Sequence, residues 1–279
     1  MLVPITAKCN NRCISCIRLH SESEAVNVNL DFFRKKFSKI KDLEHICING
    51  GEPTIHREFL QIVNFFNKKY PDSDILLLSN CRMFSNKKNV EKLRKLSAKN
   101  LRIGATIYGH NERIHEATTR SPGSFRQTTQ GISTLILAGF NIELRVVVSK
   151  INYSYLEEIA KYICENLKGC KKVVFINMKI AGEAFKNRKL LIVKYTDILP
   201  YVEKAVSILE TSGFDVSLFH FPLCLLPDSL WKNNGGLTID VSEIEFTDTC
   251  KSCLKKKMCS GIWKHYIKEV GDSEFKAIK

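Results

Sequence analysis

Apolar residues recur along the chain in two alternating rhythms. Short runs of four to eight residues read as strands: Leu2 to Ile5, Ile46 to Asn49, Ile75 to Leu78, Leu101 to Ile107, Asn141 to Val148 and Val173 to Met178. Between them, apolar positions return every three or four residues, as on one face of a helix. They are Leu30, Phe33, Phe37 and Ile40; Phe59, Ile62, Val63 and Phe66, ended by Pro71; and Val90, Leu93 and Leu96. Further along come Ile132, Leu135 and Ile136, with Gly139 beyond the end, and then Leu156, Ile159, Ile163 and Leu167. Ile198 to Leu209, closed by Gly213, adds a helix, and Val216 to Phe219 a further strand. Ser21 to Asn29 and Tyr108 to Ser124 read as polar loops. Strand and helix in alternation predict an α/β fold with a parallel sheet wrapped by helices. Six βα units are fewer than the eight of a closed barrel, so an open, partial (β/α)6 barrel is expected.

From about Pro222 the alternation stops, which divides the chain into a barrel over 1–220 and a cysteine-rich extension over 221–279. The chain has 279 residues, 44% of them hydrophobic, enough for one large α/β core plus an appendage. No apolar run approaches the ~20 residues of a membrane span. The first strand begins at Leu2, without a signal-peptide pattern and without room before it for a leader-binding domain. Eleven cysteines in that setting point to a reducing, cytoplasmic compartment and to metal ligation in place of disulfides.

Three of those cysteines lie within eight residues: Cys9-Asn10-Asn11-Arg12-Cys13-Ile14-Ser15-Cys16 follows the first strand in a C-x3-C-x2-C spacing. Three thiolates on one loop can hold three corners of a four-iron, four-sulfur cluster. Ordinary cubanes take four cysteines, so one iron would be left open for chemistry. A zinc loop or a set of buried thiols is the alternative. Gly50-Gly51-Glu52-Pro53 follows the second strand. Its glycines let the backbone approach a ligand closely, Glu52 supplies an acceptor and Pro53 stiffens the exit.

In this order, the two motifs resemble those of the radical S-adenosylmethionine (SAM) enzymes. The resemblance implies a [4Fe-4S] cluster on Cys9, Cys13 and Cys16, with SAM chelated to the open iron and its amino group on the Gly50–Pro53 backbone. One electron then cleaves SAM to a 5'-deoxyadenosyl radical, which abstracts hydrogen from a substrate. Ligands sit at the carboxyl ends of parallel strands, which nominates more SAM contacts. Ser79-Asn80-Cys81 stands where many family members carry Thr-Asn-Gly, and Cys81 in place of glycine is a departure. Arg145, in the apolar strand Glu143 to Val148, needs an anion, either the SAM carboxylate or a protein carboxylate, Glu143 or another in the core. Asn177, followed by Ala181-Gly182-Glu183, falls where the superfamily places nucleoside contacts. Ser15 occupies a position near the adenine that is usually bulky.

The extension carries Cys224, Cys250, Cys253 and Cys259, the last three as C-x2-C-x5-C. This resembles the SPASM and twitch tails and implies a second, fully ligated auxiliary [4Fe-4S] cluster; a structural zinc site satisfies the same spacing. Cys47 and Cys164 read as small core residues, Cys170 as a surface thiol, and His110 and His115 as loop histidines near any substrate.

The net charge is +14, from 43 Lys and Arg against 29 Asp and Glu. No RNA-binding signature accompanies it, so an acidic protein partner ranks above nucleic acid. An acidic electron donor, a flavodoxin or ferredoxin, fits. Across most of the chain the sequence is similar to radical SAM maturases of the His-Xaa-Ser repeat peptide system. The matches include Arg82-Met83-Phe84, Pro122-Gly123-Ser124-Phe125 and Pro222-Leu223-Cys224-Leu225-Leu226. That similarity implies a ribosomally made peptide as substrate and a second radical SAM protein as partner. The other readings are a radical SAM enzyme acting on RNA or a small molecule, and a non-enzymatic iron–sulfur or zinc protein.

Overall fold

The structure is a computed structural model that describes residues 1–22, 27–238 and 241–279. The polar segment Ser21 to Asn29 therefore lies partly outside the described residues. Eight parallel strands form one sheet in sequential order: β1 (Leu2–Thr6), β2 (His45–Gly50), β3 (Asp74–Ser79), β4 (Leu101–Ile107), β5 (Asn141–Val148), β6 (Lys172–Asn177), β7 (Asp215–Phe219) and β8 (Asn234–Gly236). Each strand pairs only with its sequence neighbours. The first and last strands do not meet, and the barrel stays open.

The connecting helices are α1 (Leu30–Lys36), α2 (Phe59–Lys69), α3 (Lys87–Arg94), α4 (Glu112–Thr119), α5 (Ser124–Leu137), α6 (Leu156–Asn166), α7 (Glu183–Lys186), α8 (Arg188–Leu191) and α9 (Tyr195–Thr211). Their apolar faces cover one side of the sheet. Ile75 and Leu77 of β3, Ile103 and Ala105 of β4, and Leu144 and Val146 of β5 are buried there together with Phe66, Ile132 and Ile159. Alternate residues, such as Leu76, Leu78, Thr106 and Val147, face the open concave side and are only half-buried. Cys47, paired in register with Leu76, shares that side. It is a half-buried residue of the concave face and not a core residue.

Three further readings need correction. The polar loop from Tyr108 holds α4, started by Asn111, whose side chain accepts from the Ile114 amide. Cys170 is buried at 3% exposure, so it is not a surface thiol. His115 lies on α4, not in a loop, and is 1% exposed. After β7 the chain adds β8 to the sheet. It then forms a two-stranded antiparallel pair, β9 (Ile244–Glu245) with β10 (Ile262–Trp263), and ends in α10 (Lys264–Val270). Among the described residues no helix is long and apolar enough to cross a membrane.

Candidate active site at the carboxyl ends of the strands

The cysteine loop leaves β1 where that strand runs tightest against β2. The Gly51 amide donates to Thr6 O at 2.7 Å and the Glu52 amide to Lys8 O at 2.8 Å. A side chain at Gly51 would come within 2.5 Å of Ala7 O and closer still to Lys8 O. The first demand on Gly51 is therefore the protein's own backbone, one residue before Cys9. Gly50 adds a positive φ of 148°, which favours glycine.

Glu52 is 1% exposed and accepts four hydrogen bonds. They come from the Thr54 amide (3.1 Å) and hydroxyl (2.5 Å), the Ser79 hydroxyl (2.8 Å) and the Asn80 amide (2.7 Å). Burial pushes its carboxyl pKa up, while these donors pull it down. The carboxylate thus ties the end of β2 to the end of β3, and Pro53 begins the turn Pro53–Ile55 that it caps.

Beyond β3, Cys81 adopts a left-handed φ of 60° and is fully buried. It takes up the conformation a glycine would, so the backbone path survives the departure. Asn80 Nδ2 donates to Asn10 Oδ1 at 2.7 Å. Arg82 donates from Nε to Gln127 Oε1 at 2.8 Å and from Nη1 to Asn11 Oδ1 at 2.7 Å and to Asn10 O.

The loop's other flank is held by α4 and by the segment after β6. The Arg12 and Ile14 amides donate to Thr119 O and Thr118 O at 3.0 and 2.9 Å. The Ala184 amide donates to Cys16 O at 2.9 Å, and Glu183 accepts from the His20 amide at 3.0 Å. Gly182, at φ 57°, lets this segment pass against Ile17 and Arg18. Tyr108, at the end of β4, stands beside Cys13.

Cys9, Cys13 and Cys16 open with Gly51 into one cavity of about 310 Å³, lined also by Lys8, Arg12, Arg18 and His20. Burial pushes the Cys9 thiol up to about 11 and Cys13 to about 12, and raises Cys16 as well. At neutral pH such thiols ionise only beside a strong positive charge, which iron supplies. Three convergent thiols in one roomy cavity fit a three-cysteine cluster.

Among the remaining sequence-nominated contacts, Ser15, between Cys13 and Cys16 in sequence, is buried with its hydroxyl facing the Tyr108 hydroxyl. Arg145 Nη1 pairs with Glu143 Oε1 at 2.6 Å, and Glu143 also pairs with Arg102. The anion that an apolar strand demands for Arg145 is thus Glu143. Asn177 ends β6, and its carbonyl accepts from the Trp263 indole at 3.2 Å. Neither Arg145 nor Asn177 lines the cysteine cavity.

Cys224, Cys250, Cys253 and Cys259 line one small pocket of about 20 Å³ with Lys255, Lys256 and Lys276. All four are free thiols. The amides of Leu223 and Gly261 donate to Cys259 Sγ, each at 3.4 Å, and burial pushes Cys224 up to about 11. Among the described residues no group of three or more His, Cys, Asp or Glu side chains, the two cysteine sets included, is drawn close enough to hold a single metal ion; a cubane, whose thiolates each bind a different iron, asks for wider spacing than one ion does.

Residues 3–163 match the family model described as the radical SAM superfamily. The chain is 25% identical over 162 residues to the antilisterial bacteriocin subtilosin biosynthesis protein AlbA of Bacillus subtilis, covering 57% of this chain and 35% of that protein. The curated relatives it matches are longer, and the chain spans from 35% to 57% of their length. Its fold is similar to Streptococcus suis SuiB bound to the precursor peptide SuiA, with a TM-score of 0.63, 14% identity and coverage of 78% of this chain and 48% of that one. It is also similar to anSMEcpe with bound AdoMet and the Cp18Cys peptide, with a TM-score of 0.61, 17% identity and coverage of 90% and 69%.

Proposed function

Because this chain belongs to the radical SAM superfamily, which implies a four-iron cluster and SAM, we propose that it modifies a ribosomally made peptide by hydrogen abstraction. The observation that carries the reading is the convergence of Cys9, Cys13 and Cys16 on one cavity beside Gly51. When bound there, the cluster supplies one electron that cleaves SAM to methionine and a 5'-deoxyadenosyl radical, which takes a hydrogen atom from substrate. The chain's own residues position that chemistry. Gly50, Gly51 and Pro53 present backbone to the SAM amino group. Glu52 locks their turn to Ser79 and Asn80, and those residues, with Ser15, form the remaining SAM-facing edge; Asn177 ends β6 outside the cysteine cavity and would contact only a nucleoside that extends beyond it. Arg145 is committed to Glu143 and holds the wall of the barrel.

A peptide substrate is supported by the likeness to AlbA, a bacteriocin biosynthesis protein, and to SuiB, bound to a precursor peptide. The four thiols of the extension, with three lysines around them, form the ligand set of a second four-iron cluster. Lys8, Arg12 and Arg18 at the cysteine cavity suit an acidic electron donor. A second radical SAM protein is a further partner, to be sought by co-purification. The test is anaerobic turnover of the reduced, reconstituted protein with SAM and a candidate precursor peptide. A change in peptide mass together with 5'-deoxyadenosine is expected. No 5'-deoxyadenosine from reduced protein would sink the reading.

A further inference from the structure

Arg82 has a place that the chemistry above does not use. It follows the left-handed Cys81 and opens the turn Arg82–Ser85. One guanidinium reaches two elements at once: Gln127 on α5, and both Asn10 and Asn11 of the cysteine loop. Among the described residues it makes no ion pair with a carboxylate. The nearby Glu52 is already held by four donors. His115, which feels Arg82's charge, is kept neutral by burial, with its pKa lowered to about 4. A half-buried guanidinium without a carboxylate is costly unless an anion stands near it. The group it faces is the cysteine loop, through Asn10 O and Asn11 Oδ1.

We propose that Arg82 is a positioning residue of the cluster whose fixed charge also sets the cluster's reduction potential. The inference rests on the cluster reading above. A cubane core of charge +2 with three thiolates carries −1, and one electron takes it to −2. A nearby cation favours the more negative state, so Arg82 raises the potential and makes the electron easier to accept. Lys8 and Arg12 carry the same sign but are exposed and screened, and half-buried Arg18 has no side-chain hydrogen bond among the described residues to fix its charge in place. Arg82 is fixed by three hydrogen bonds, so its charge acts from one place.

The test uses the reconstituted 279-residue protein with Cys250→Ala/Cys253→Ala, so that a second centre does not overlap the signal. The readout is the SAM-responsive paramagnetic signal during potentiometric titration, with iron content measured alongside. In Arg82→Gln the reduced-to-oxidised ratio at a fixed potential is expected to fall about tenfold, which for one electron is about 59 mV. Arg82→Lys keeps the charge and should stay within threefold of the parent. A parent ratio in Arg82→Gln overturns the inference. If Arg82→Gln holds no cluster, Arg82→Lys decides. A loaded lysine variant with the parent ratio supports the role of charge; a tenfold fall, or no cluster, overturns it. A parent protein that takes up no SAM-responsive four-iron centre refutes the cluster reading itself, a different result from an unmoved potential.

Discussion

Gly51 packs against the backbone that leads into the cysteine loop, and Gly51→Ala tests that contact with one added carbon. Gly51 does not have a positive φ, so alanine meets no backbone penalty of its own. The cost is steric. The new Cβ would lie 2.5 Å from Ala7 O and 2.7 Å from the Lys8 carbonyl carbon, where ordinary contacts begin at 3.4 Å. The obstacle is backbone, which cannot rotate away. The two strands must separate by about 1 Å, enough to stretch the Gly51–Thr6 and Glu52–Lys8 hydrogen bonds beyond useful length. Overpacking of this kind costs about 1–3 kcal/mol, and a buried amide left unpaired about 1–3 more, so about 4 kcal/mol is expected. That is a large part of an ordinary domain's stability.

The displaced segment runs directly into Cys9, so the loss should reach the cluster as well as SAM. Gly213→Ala is the control. Gly213 has φ 84° with nothing within 4 Å of a built Cβ, so its cost is conformational alone, about 1–2 kcal/mol, and it precedes β7 at the sheet's amino end, opposite the end that carries the cysteine loop. The assay is urea unfolding of the metal-free proteins, followed by iron content after reconstitution. Gly51→Ala should lose about 4 kcal/mol and at least half its iron; Gly213→Ala should keep its iron. A Gly51→Ala protein within 1 kcal/mol of the parent and fully loaded would refute the reasoning.

Three more outcomes are expected. Replacing Cys9, Cys13 and Cys16 together by alanine should remove about four irons per chain and end SAM cleavage; continued 5'-deoxyadenosine formation would refute the assignment. Cys250→Ala/Cys253→Ala should lose modified peptide but keep SAM cleavage, and metal analysis of the parent showing about four irons and one zinc per chain would assign the tail to zinc instead. Burial holds His115 near pKa 4, so the unfolded chain binds its proton below pH 6.5 and the folded chain only below about 4. This contribution is present above pH 6.5 and falls by about 3 kcal/mol as pH drops to 4. His115→Asn should flatten the metal-free protein's stability profile across that window, and equal slopes would refute the point.

The six core strands were legible because each is a short apolar run whose outer face must be buried against a helix. What escaped carried no such run. β8 is Asn234-Gly235-Gly236, and nothing apolar marks it; it forms because the edge of β7 offers unpaired backbone. α4 was hidden because its buried face includes His115, Thr118 and Thr119 beside a single isoleucine, Ile114. Cys170 looked exposed because lysines follow it, yet its own side chain turns inward.

The site divides in the same way. Cysteines and glycines announce themselves by spacing, and the need of Arg145 for an anion was visible because Glu143 lies two residues away on the same face of the strand. Roles that depend on folding the chain back were not visible. Glu52 was read as a ligand acceptor, but Ser79 and Asn80 arrive from 27 and 28 residues away to claim its oxygens. Arg82 meets Gln127 across 45 residues and Asn11 across 71. Single polar residues at such separations have no periodicity to betray them. A local motif can therefore name the group a loop holds, while the charge and rigidity that tune the group come from partners that only the fold brings together.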